Sequence, residues 1–207
     1  VLHKKIIIFA QGIGPINNIF LKKLTFFILK NVLYISVRDE NSFKLLSDNK
    51  IKNVEKCFDP VWNIPVNRVK NKEKIGIQLR EFHLVTDEFI KKLAQNVNRY
   101  YFNKEIVILS LQNKFDLNVC NKMKCALTAI NPKIKVQVLE NTSNTDVIKN
   151  ICSLDTLIAM RYHACLIAVK AGIKVLPINY DIKVQLLAND FNLTCINSED
   201  DIETIFE

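Results

Sequence analysis

The chain has 207 residues, of which 49% are hydrophobic and 24% are charged, a composition that excludes a chain too polar to build a core. Its net charge of +8 comes mostly from residues 1–68, which carry 11 Lys/Arg against 5 Asp/Glu, whereas residues 69–207 carry 18 against 16. The basic excess indicates either a solvated lysine-rich surface or an anionic partner such as a phosphorylated metabolite, nucleic acid or a membrane.

Cysteine spacing excludes a zinc-binding protein, and hydropathy excludes a membrane span within this sequence. The six cysteines form no CxxC pair and have no histidines at zinc-site spacing, so we expect buried thiols in a reducing, cytoplasmic compartment and no metal. No signal peptide is recognisable, and no window reaches the roughly 18 apolar residues of a membrane span. Because the chain begins without Met inside an apolar strand pattern, we expect a fragment that lacks its upstream portion.

A strand, a turn and a helix open the chain. Residues 5–10 predict a strand, and the turn after it contains Gly12 and Gly14, where the absence of side chains lets the backbone approach a ligand closely. Residues 17–30 predict a basic amphipathic helix. Such a helix packs on a core or rests on a membrane surface, and we favour packing.

The second strand carries the first candidate binding residue. Residues 32–37 predict this strand, and Arg38 follows at its carboxyl end. An ion pair with Asp39 or Glu40 is the structural alternative to a binding role for Arg38. The polar residues 63–72 then read as a linker, which divides the chain into residues 1–68, the end of one domain, and residues 69–207, a second domain.

Strands and helices alternate through the second domain. The strands are predicted at residues 75–79, 105–110, 134–138, 157–160 and 175–178, and the helices between and after them at residues 87–102, 117–130, 145–152, 164–171 and 182–190. This alternation predicts an α/β fold with a parallel sheet that has helices on both faces.

Cationic side chains follow several of these strands. Arg161 and His163 lie between a strand and the next helix, Lys183 follows the last strand, and Arg80 follows the first strand of the domain. The carboxyl ends of parallel strands open onto a crevice, where the first N–H groups of the helices attract anions. Together with Arg38, these residues predict a pocket for a small, multiply charged anion, in which His163 exchanges a proton. A histidine that caps its helix is the structural alternative for His163.

Six short motifs give the chain a resemblance to a known family. They are Gln-Gly-Ile-Gly-Pro at 11–15, Ser-Val-Arg-Asp-Glu at 36–40 with Ser42, Asp-Pro at 59–60, Ile-Gln-Leu-Arg at 77–80, Met-Arg-Tyr-His at 160–163 and Tyr-Asp-Ile-Lys-Val at 180–184. In this order they resemble the motifs of the polysaccharide pyruvyl transferase family, and of the bacterial cell-wall enzymes in particular. The family usually has Leu where this chain has Tyr162.

The resemblance implies two Rossmann-like domains that face each other across a cleft, as in GT-B glycosyltransferases, with the first domain truncated at its N-terminus. It also implies transfer of a pyruvyl group from phosphoenolpyruvate to two hydroxyls of a sugar, as a cyclic ketal. The resemblance implies donor-binding and catalytic roles for Arg38, Arg161, His163 and Lys183, and we assign catalysis to His163, Arg38 and Lys183. From their positions, Arg80, Gly12 and Gly14 are additional candidate substrate contacts. The implied acceptor is a cell-surface polysaccharide or its lipid-linked precursor, at the inner face of the membrane. We expect the reaction to need no cofactor and the protein to bind no nucleic acid.

Two alternatives remain open from the sequence. A GT-B-type glycosyltransferase needs an acidic residue for the ribose of a nucleotide sugar, and Glu140, after the strand at residues 134–138, is the obvious candidate. An inactive fragment of the family is the second alternative.

Overall fold

A computed structural model describes residues 4–69, 73–140, 143–198 and 201–206. The chain divides into two compact units, Val1–Ile64 (unit 1) and Pro65–Glu207 (unit 2). The observed division lies four residues before the expected one, inside the linker identified in the sequence.

Unit 1 contains a parallel sheet of three strands and two helices. In chain order the elements are β1 (Ile7–Gln11), α1 (Ile19–Leu29), β2 (Tyr34–Val37), α2 (Glu40–Asp48) and β3 (Val54–Lys56), with a 3₁₀ turn at Pro60–Asn63. The strand order is β1-β2-β3, which places β1 at an edge. The three-residue strand β3 has no equivalent in the sequence prediction, because so short a segment shows no clear alternation of apolar and polar residues.

Only one face of α1 packs on the core of unit 1. Phe26 and Leu29 are buried there with Ile35, Val37 and Leu46. The other face exposes large apolar side chains, namely Ile19, Phe20, Leu21, Leu24, Phe27 and Ile28. This exposed surface of α1 is larger than core packing of the helix leads one to expect. No helix among the described residues is long and apolar enough to cross a bilayer.

Unit 2 contains a parallel sheet of five strands. The strands are β4 (Lys74–Gln78), β5 (Glu105–Ser110), β6 (Val136–Glu140), β7 (Thr156–Ala159) and β8 (Lys174–Pro177). The helices are α3 (Asp87–Tyr101), α4 (Asn113–Ile130), α5 (Asn144–Cys152), α6 (Tyr162–Lys170), α7 (Ile182–Asp190) and α8 (Asp201–Phe206). The predicted α/β class with parallel sheets is confirmed.

The strand order of unit 2 locates its crevice. The order is β6-β5-β4-β7-β8, so the chain builds outward from β4 on one side and then crosses over to β7 on the other. In sheets of this kind the two halves diverge at the switch point, here between β4 and β7, and ligands bind beyond the carboxyl ends of these strands. Ile77, Ile106, Ile108 and Ile158 fill the core beneath.

Two helices begin earlier than the sequence pattern predicts. The helix expected from residue 117 starts at Asn113, which places Asp116 in its first turn. The helix expected from residue 164 starts at Tyr162, so His163 lies within the first turn of α6, and Arg161 occupies the N-cap position. In both cases polar residues at the helix start hide the first turn, because the apolar periodicity becomes visible only one turn later.

Candidate active site

Gln78 joins the carboxyl ends of β4 and β7. Its side chain is fully buried, its Oε1 accepts a hydrogen bond from the backbone N–H of Arg161 at 2.9 Å, and its backbone carbonyl accepts from the N–H of Met160 at 3.1 Å. Because a buried amide is held firmly when its donors and acceptors are paired, Gln78 fixes the start of α6 relative to β4. Gln78 also donates to the carbonyl of Leu79 at 2.9 Å.

Arg161 is held by a carboxylate from a different helix. Its Nη2 lies 2.7 Å from Oδ1 of Asp116 and its Nε lies 3.2 Å from Oδ2, while Oε1 of Gln112 accepts from the same Nη2 at 2.9 Å. Asp116 is fully buried, and its Oδ2 also accepts from the backbone N–H groups of Leu111 and Gln112. The charge of Arg161 is therefore balanced within the protein, and only its Nη1 lacks a hydrogen-bond partner among the described residues.

The sequence analysis did not identify Asp116, although it shapes this part of the site. A single acidic residue between Phe115 and Leu117, close to a helix start, is the only local signal for it. Burial, and secondarily the charge of Asp116, raises the pKa of the nearby Cys120 thiol to about 12. Cys120 is therefore a protonated thiol at neutral pH and not a nucleophile.

His163 and Lys183 occupy equivalent positions on neighbouring strand–helix connections. His163 is the second residue of α6, is exposed, and its ring lies 5.2 Å from that of Tyr162 in an edge-to-face arrangement. Lys183 is the second residue of α7 and is half-buried. The N-cap of α7 is Asp181, whose carboxylate accepts from the backbone N–H of Lys183 at 2.9 Å. Since β7 and β8 are adjacent and parallel, His163 and Lys183 both lie beyond the carboxyl ends of these strands.

Arg80 lies at the same carboxyl end of the sheet, just after β4. Its backbone N–H points to Sδ of Met160 at 3.3 Å, and its guanidinium carbon lies 5.4 Å from the centre of the Tyr180 ring, which follows β8. Glu81 does not pair with Arg80 among the described residues; its carboxylate accepts a hydrogen bond from Asn118 instead. Among the described residues the acidic neighbour Glu81 therefore does not balance the charge of Arg80.

Unit 1 has its own polar cluster beyond the carboxyl ends of its strands. Arg38, after β2, forms an ion pair with Asp59, after β3, and Asp59 is buried and accepts from the N–H of Val61 at 3.0 Å. The ion pair with Asp59 contrasts with the structural alternative, which named Asp39 or Glu40 as the partner of Arg38. Asp39 caps α2 through the N–H of Ser42 at 2.8 Å, and Glu40 pairs with Lys56 at 2.9 Å.

The two glycines after β1 serve this cluster. A Cβ atom at Gly12 would lie 3.2 Å from Oδ2 of Asp39, which leaves little room for a side chain. Gly14 has a φ of +96°, a conformation that L-residues rarely adopt, and precedes a cis peptide bond to Pro15. Oγ of Ser42 accepts from the N–H of Ile13 at 2.7 Å, which ties the glycine turn to α2.

The carboxyl ends of the strands of unit 2 thus carry four of the predicted site residues, namely Arg80, Arg161, His163 and Lys183. Participation of Arg38, Gly12 and Gly14 in the same pocket remains a prediction. Among the described residues no group of His, Cys, Asp and Glu side chains could hold a metal ion. Glu140 ends the edge strand β6, and its carboxylate accepts from Asn113 at 3.4 Å.

Comparison with known proteins gives one family and a set of distant structures. A family model described as polysaccharide pyruvyl transferase matches residues 1–182. A comparison with curated proteins finds no significant match.

Among solved structures, one of accessory secretory proteins 1, 2 and 3 of Streptococcus pneumoniae is similar with a TM-score of 0.59 at 16% identity, over 88% of this chain and 38% of that one. TarM of S. aureus, in a complex with fondaparinux, alpha-GlcNAc-glycerol and UDP, gives a TM-score of 0.53 at 14% identity, over 89% and 38%. An O-GlcNAc transferase mutant of Thermobaculum terrenum gives 0.51 at 11%, over 86% and 37%. The chain thus spans about two fifths of the length of these structures, and the likeness concerns the fold alone.

Proposed function

Because the chain belongs to the polysaccharide pyruvyl transferase family, we propose that it transfers a pyruvyl group from phosphoenolpyruvate to two hydroxyls of a sugar and forms a cyclic ketal. The acceptor in this proposal is a cell-surface polysaccharide or its lipid-linked precursor. The match covers residues 1–182, that is, all of unit 1 and unit 2 up to residue 182.

The observation that carries the proposal is the set of cationic side chains beyond the carboxyl ends of the strands of unit 2. Arg80, Arg161 and Lys183 follow β4, β7 and β8, and His163 lies in the first turn of α6. Phosphoenolpyruvate carries a carboxylate and a phosphate, which arginine binds with two parallel hydrogen bonds and lysine with a mobile point charge. This site suits such a donor without a metal or a cofactor.

The proposed reaction gives His163 the proton-transfer step. The imidazolium of His163 protonates the methylene carbon of phosphoenolpyruvate, and the adjacent carbon becomes oxocarbenium-like. A sugar hydroxyl adds to this carbon, and its proton passes to the now neutral imidazole of His163. The bond from carbon to the phosphate oxygen then breaks, and the second hydroxyl closes the ketal ring as its proton leaves with the phosphate. Lys183 and an arginine stabilise the departing phosphate. The products are the ketal and inorganic phosphate.

The proposal also gives unit 1 a role. We propose that Arg38, Gly12 and Gly14 contact substrate, as the family motifs at residues 11–15 and 36–40 imply.

The test is acceptor-dependent phosphate release. The chain is incubated with phosphoenolpyruvate and a panel of hexose and N-acetylhexosamine glycosides, and both phosphate and new ketal methyl groups are measured, the latter by NMR. We expect both products together with at least one glycoside. Hydrolysis of a UDP-sugar without any ketal would favour the glycosyltransferase alternative and a role for Glu140, and no turnover with any substrate would favour an inactive fragment.

We further propose that unit 1 contacts the inner, anionic face of a membrane through the exposed surface of α1. Phe20 and Phe27 of this helix are 73% and 69% exposed, and Lys23 and Lys30 are exposed beside them. Exposed apolar side chains next to lysines are typical of helices that lie in the interface of anionic membranes. Such contact would bring the enzyme to a lipid-linked acceptor.

A further inference from the structure

Arg80 has an unusual environment for an arginine with a buried atom. Its Nε is buried and has no hydrogen-bond partner. No hydrogen bond or ion pair joins the rest of its guanidinium to any described residue either, although a guanidinium carries five N–H donors. A buried donor without an acceptor destabilises the folded state relative to a paired one. The guanidinium at the switch point of the sheet thus has no hydrogen-bond acceptor in the part of the chain that the structure describes.

Two contacts hold this guanidinium in place. The backbone N–H of Arg80 is anchored on the fully buried Met160, and its guanidinium lies over the ring of Tyr180. Tyr180 packs in turn edge-to-face on Phe82, with the ring centres 5.3 Å apart. A cation over an aromatic face is stabilised without the loss of any N–H donor, so the contact orients Arg80 and leaves its donors available.

The comparison with Arg161 shows which arginine is available to a ligand. Both follow strands at the switch point, but Arg161 uses Nε and Nη2 for Asp116 and Gln112. An anion at Arg161 would have to share a charge that Asp116 already balances. Arg80 has no such acidic partner among the described residues, so an incoming oxyanion meets its full charge.

We propose that Arg80 is the oxyanion-binding residue of unit 2, and that it binds a carboxylate or phosphate group through the N–H groups of its two terminal nitrogens, while the buried Nε faces the protein. Arg161, whose charge Asp116 balances, contributes less to this binding. This inference rests on the proposed function for the identity of the natural ligand, phosphoenolpyruvate. The binding of an oxyanion by Arg80 is a separate claim and has its own test.

The test measures oxyanion binding to the full chain by isothermal titration calorimetry. The probes are phosphoenolpyruvate, pyruvate, which has only the carboxylate, and inorganic phosphate. For Arg80→Gln we expect the Kd of phosphoenolpyruvate to rise by about tenfold or more, the usual value of a charge-assisted, two-point hydrogen bond. For Arg80→Lys, which keeps the charge but not the planar fork, we expect a smaller rise. Loss of pyruvate binding in Arg80→Gln would show that Arg80 binds the carboxylate, and loss of phosphate binding would show that it binds the phosphate group.

Arg99 offers a matched control. Its guanidinium carbon also lies 5.4 Å from the centre of a tyrosine ring, that of Tyr100, but Arg99 is exposed in the last turn of α3. The neighbouring Tyr101 contacts Thr156, the first residue of β7, which places this turn at the amino end of the sheet. Arg99→Gln should therefore leave every Kd unchanged, and thermal melts of all variants show that they fold.

Two results would overturn the inference: unchanged affinity of Arg80→Gln for all three probes, or an equal loss of affinity in Arg99→Gln. The outcome is separable from that of the proposed function. Arg80-dependent binding without ketal formation would support the oxyanion site and count against pyruvyl transfer. Ketal formation that is unaffected by Arg80→Gln would support pyruvyl transfer and count against the oxyanion site at Arg80.

Discussion

Asp116 and Arg161 form a bidentate ion pair between the first turn of α4 and the N-cap of α6. The paired atoms lie 2.7 and 3.2 Å apart, the carboxylate is fully buried, and 16% of the arginine side chain is exposed. The residues are 45 positions apart in sequence, yet both stand beyond the carboxyl ends of strands that flank β4. The pair therefore fixes the helix that carries His163.

Replacement of Asp116 by asparagine should destabilise unit 2. The amide keeps the shape of the side chain but leaves the Arg161 charge without its counter-charge in a largely buried place. We expect the free energy of unfolding to fall by about 3 kcal/mol, the lower end of the cost of breaking a buried pair, because Arg161 still reaches solvent. Urea unfolding followed by circular dichroism measures the change.

The exposed pair between Lys122 and Asp87 is the control for this effect. Its atoms are 2.8 Å apart, but the side chains are 50% and 85% exposed. Asp87→Asn should therefore cost about 1 kcal/mol or less. Similar losses in the two variants would mean that burial of the Asp116 pair contributes nothing to stability.

His163→Gln tests the proposed proton transfer. His163 is exposed, so the substitution should change the free energy of unfolding by no more than about 1 kcal/mol. Loss of a general acid should lower kcat for ketal formation by about 10²- to 10⁴-fold. Steady-state kinetics with phosphoenolpyruvate and a thermal melt check the two expectations. A large drop in melting temperature with kcat retained would identify a structural histidine.

The buried thiol of Cys165 should make the stability of the protein fall at alkaline pH. Burial raises its pKa to about 12, whereas an unfolded cysteine titrates at about 8.5. The folded protein therefore holds this proton more tightly, so the contribution to stability is complete below about pH 8.5 and is lost as the pH rises towards 12. The loss is about 1.4 kcal/mol per pH unit for one thiol.

Urea unfolding between about pH 7.5 and 10.5 measures this slope. Cys165→Ala removes the titrating group, so its stability should decline less steeply with pH than that of the unsubstituted chain by the contribution of one thiol. Parallel slopes for the two proteins would show that Cys165 does not titrate differently in the folded and unfolded states.

The exposed surface of α1 should bind anionic vesicles. We expect the chain to co-sediment with vesicles of phosphatidylcholine and phosphatidylglycerol more than with phosphatidylcholine alone. Phe20→Glu with Phe27→Glu should weaken this binding by about tenfold or more, since each buried aromatic side chain contributes on the order of 1.5–3 kcal/mol.

Phe58→Glu is the control, because Phe58 is 81% exposed in unit 1 but lies outside α1. It should leave vesicle binding unchanged. Absence of vesicle binding, together with self-association that the α1 substitutions abolish, would show that this surface is a protein interface and not a membrane contact.

The amino-acid sequence by itself determined the α/β class, the alternation of strands and helices, and the family. These features are local or ordered along the chain: apolar periodicity marks each element, and short motifs keep their order whatever the fold does in space. It also placed Arg80, Arg161, His163 and Lys183 after strands, because each strand and the residue that follows it are contiguous.

Only the tertiary structure decided what these side chains contact. The strand order β6-β5-β4-β7-β8 brings α4 beside α6, so that Asp116 neutralises Arg161, while Arg80 meets Tyr180 across the end of β7 and keeps its donors unpaired. In unit 1 the adjacency of β2 and β3 likewise gives Arg38 the partner Asp59, which is 21 positions away in sequence. Pairing between distant residues depends on strand adjacency, which hydrophobic periodicity along the chain does not encode.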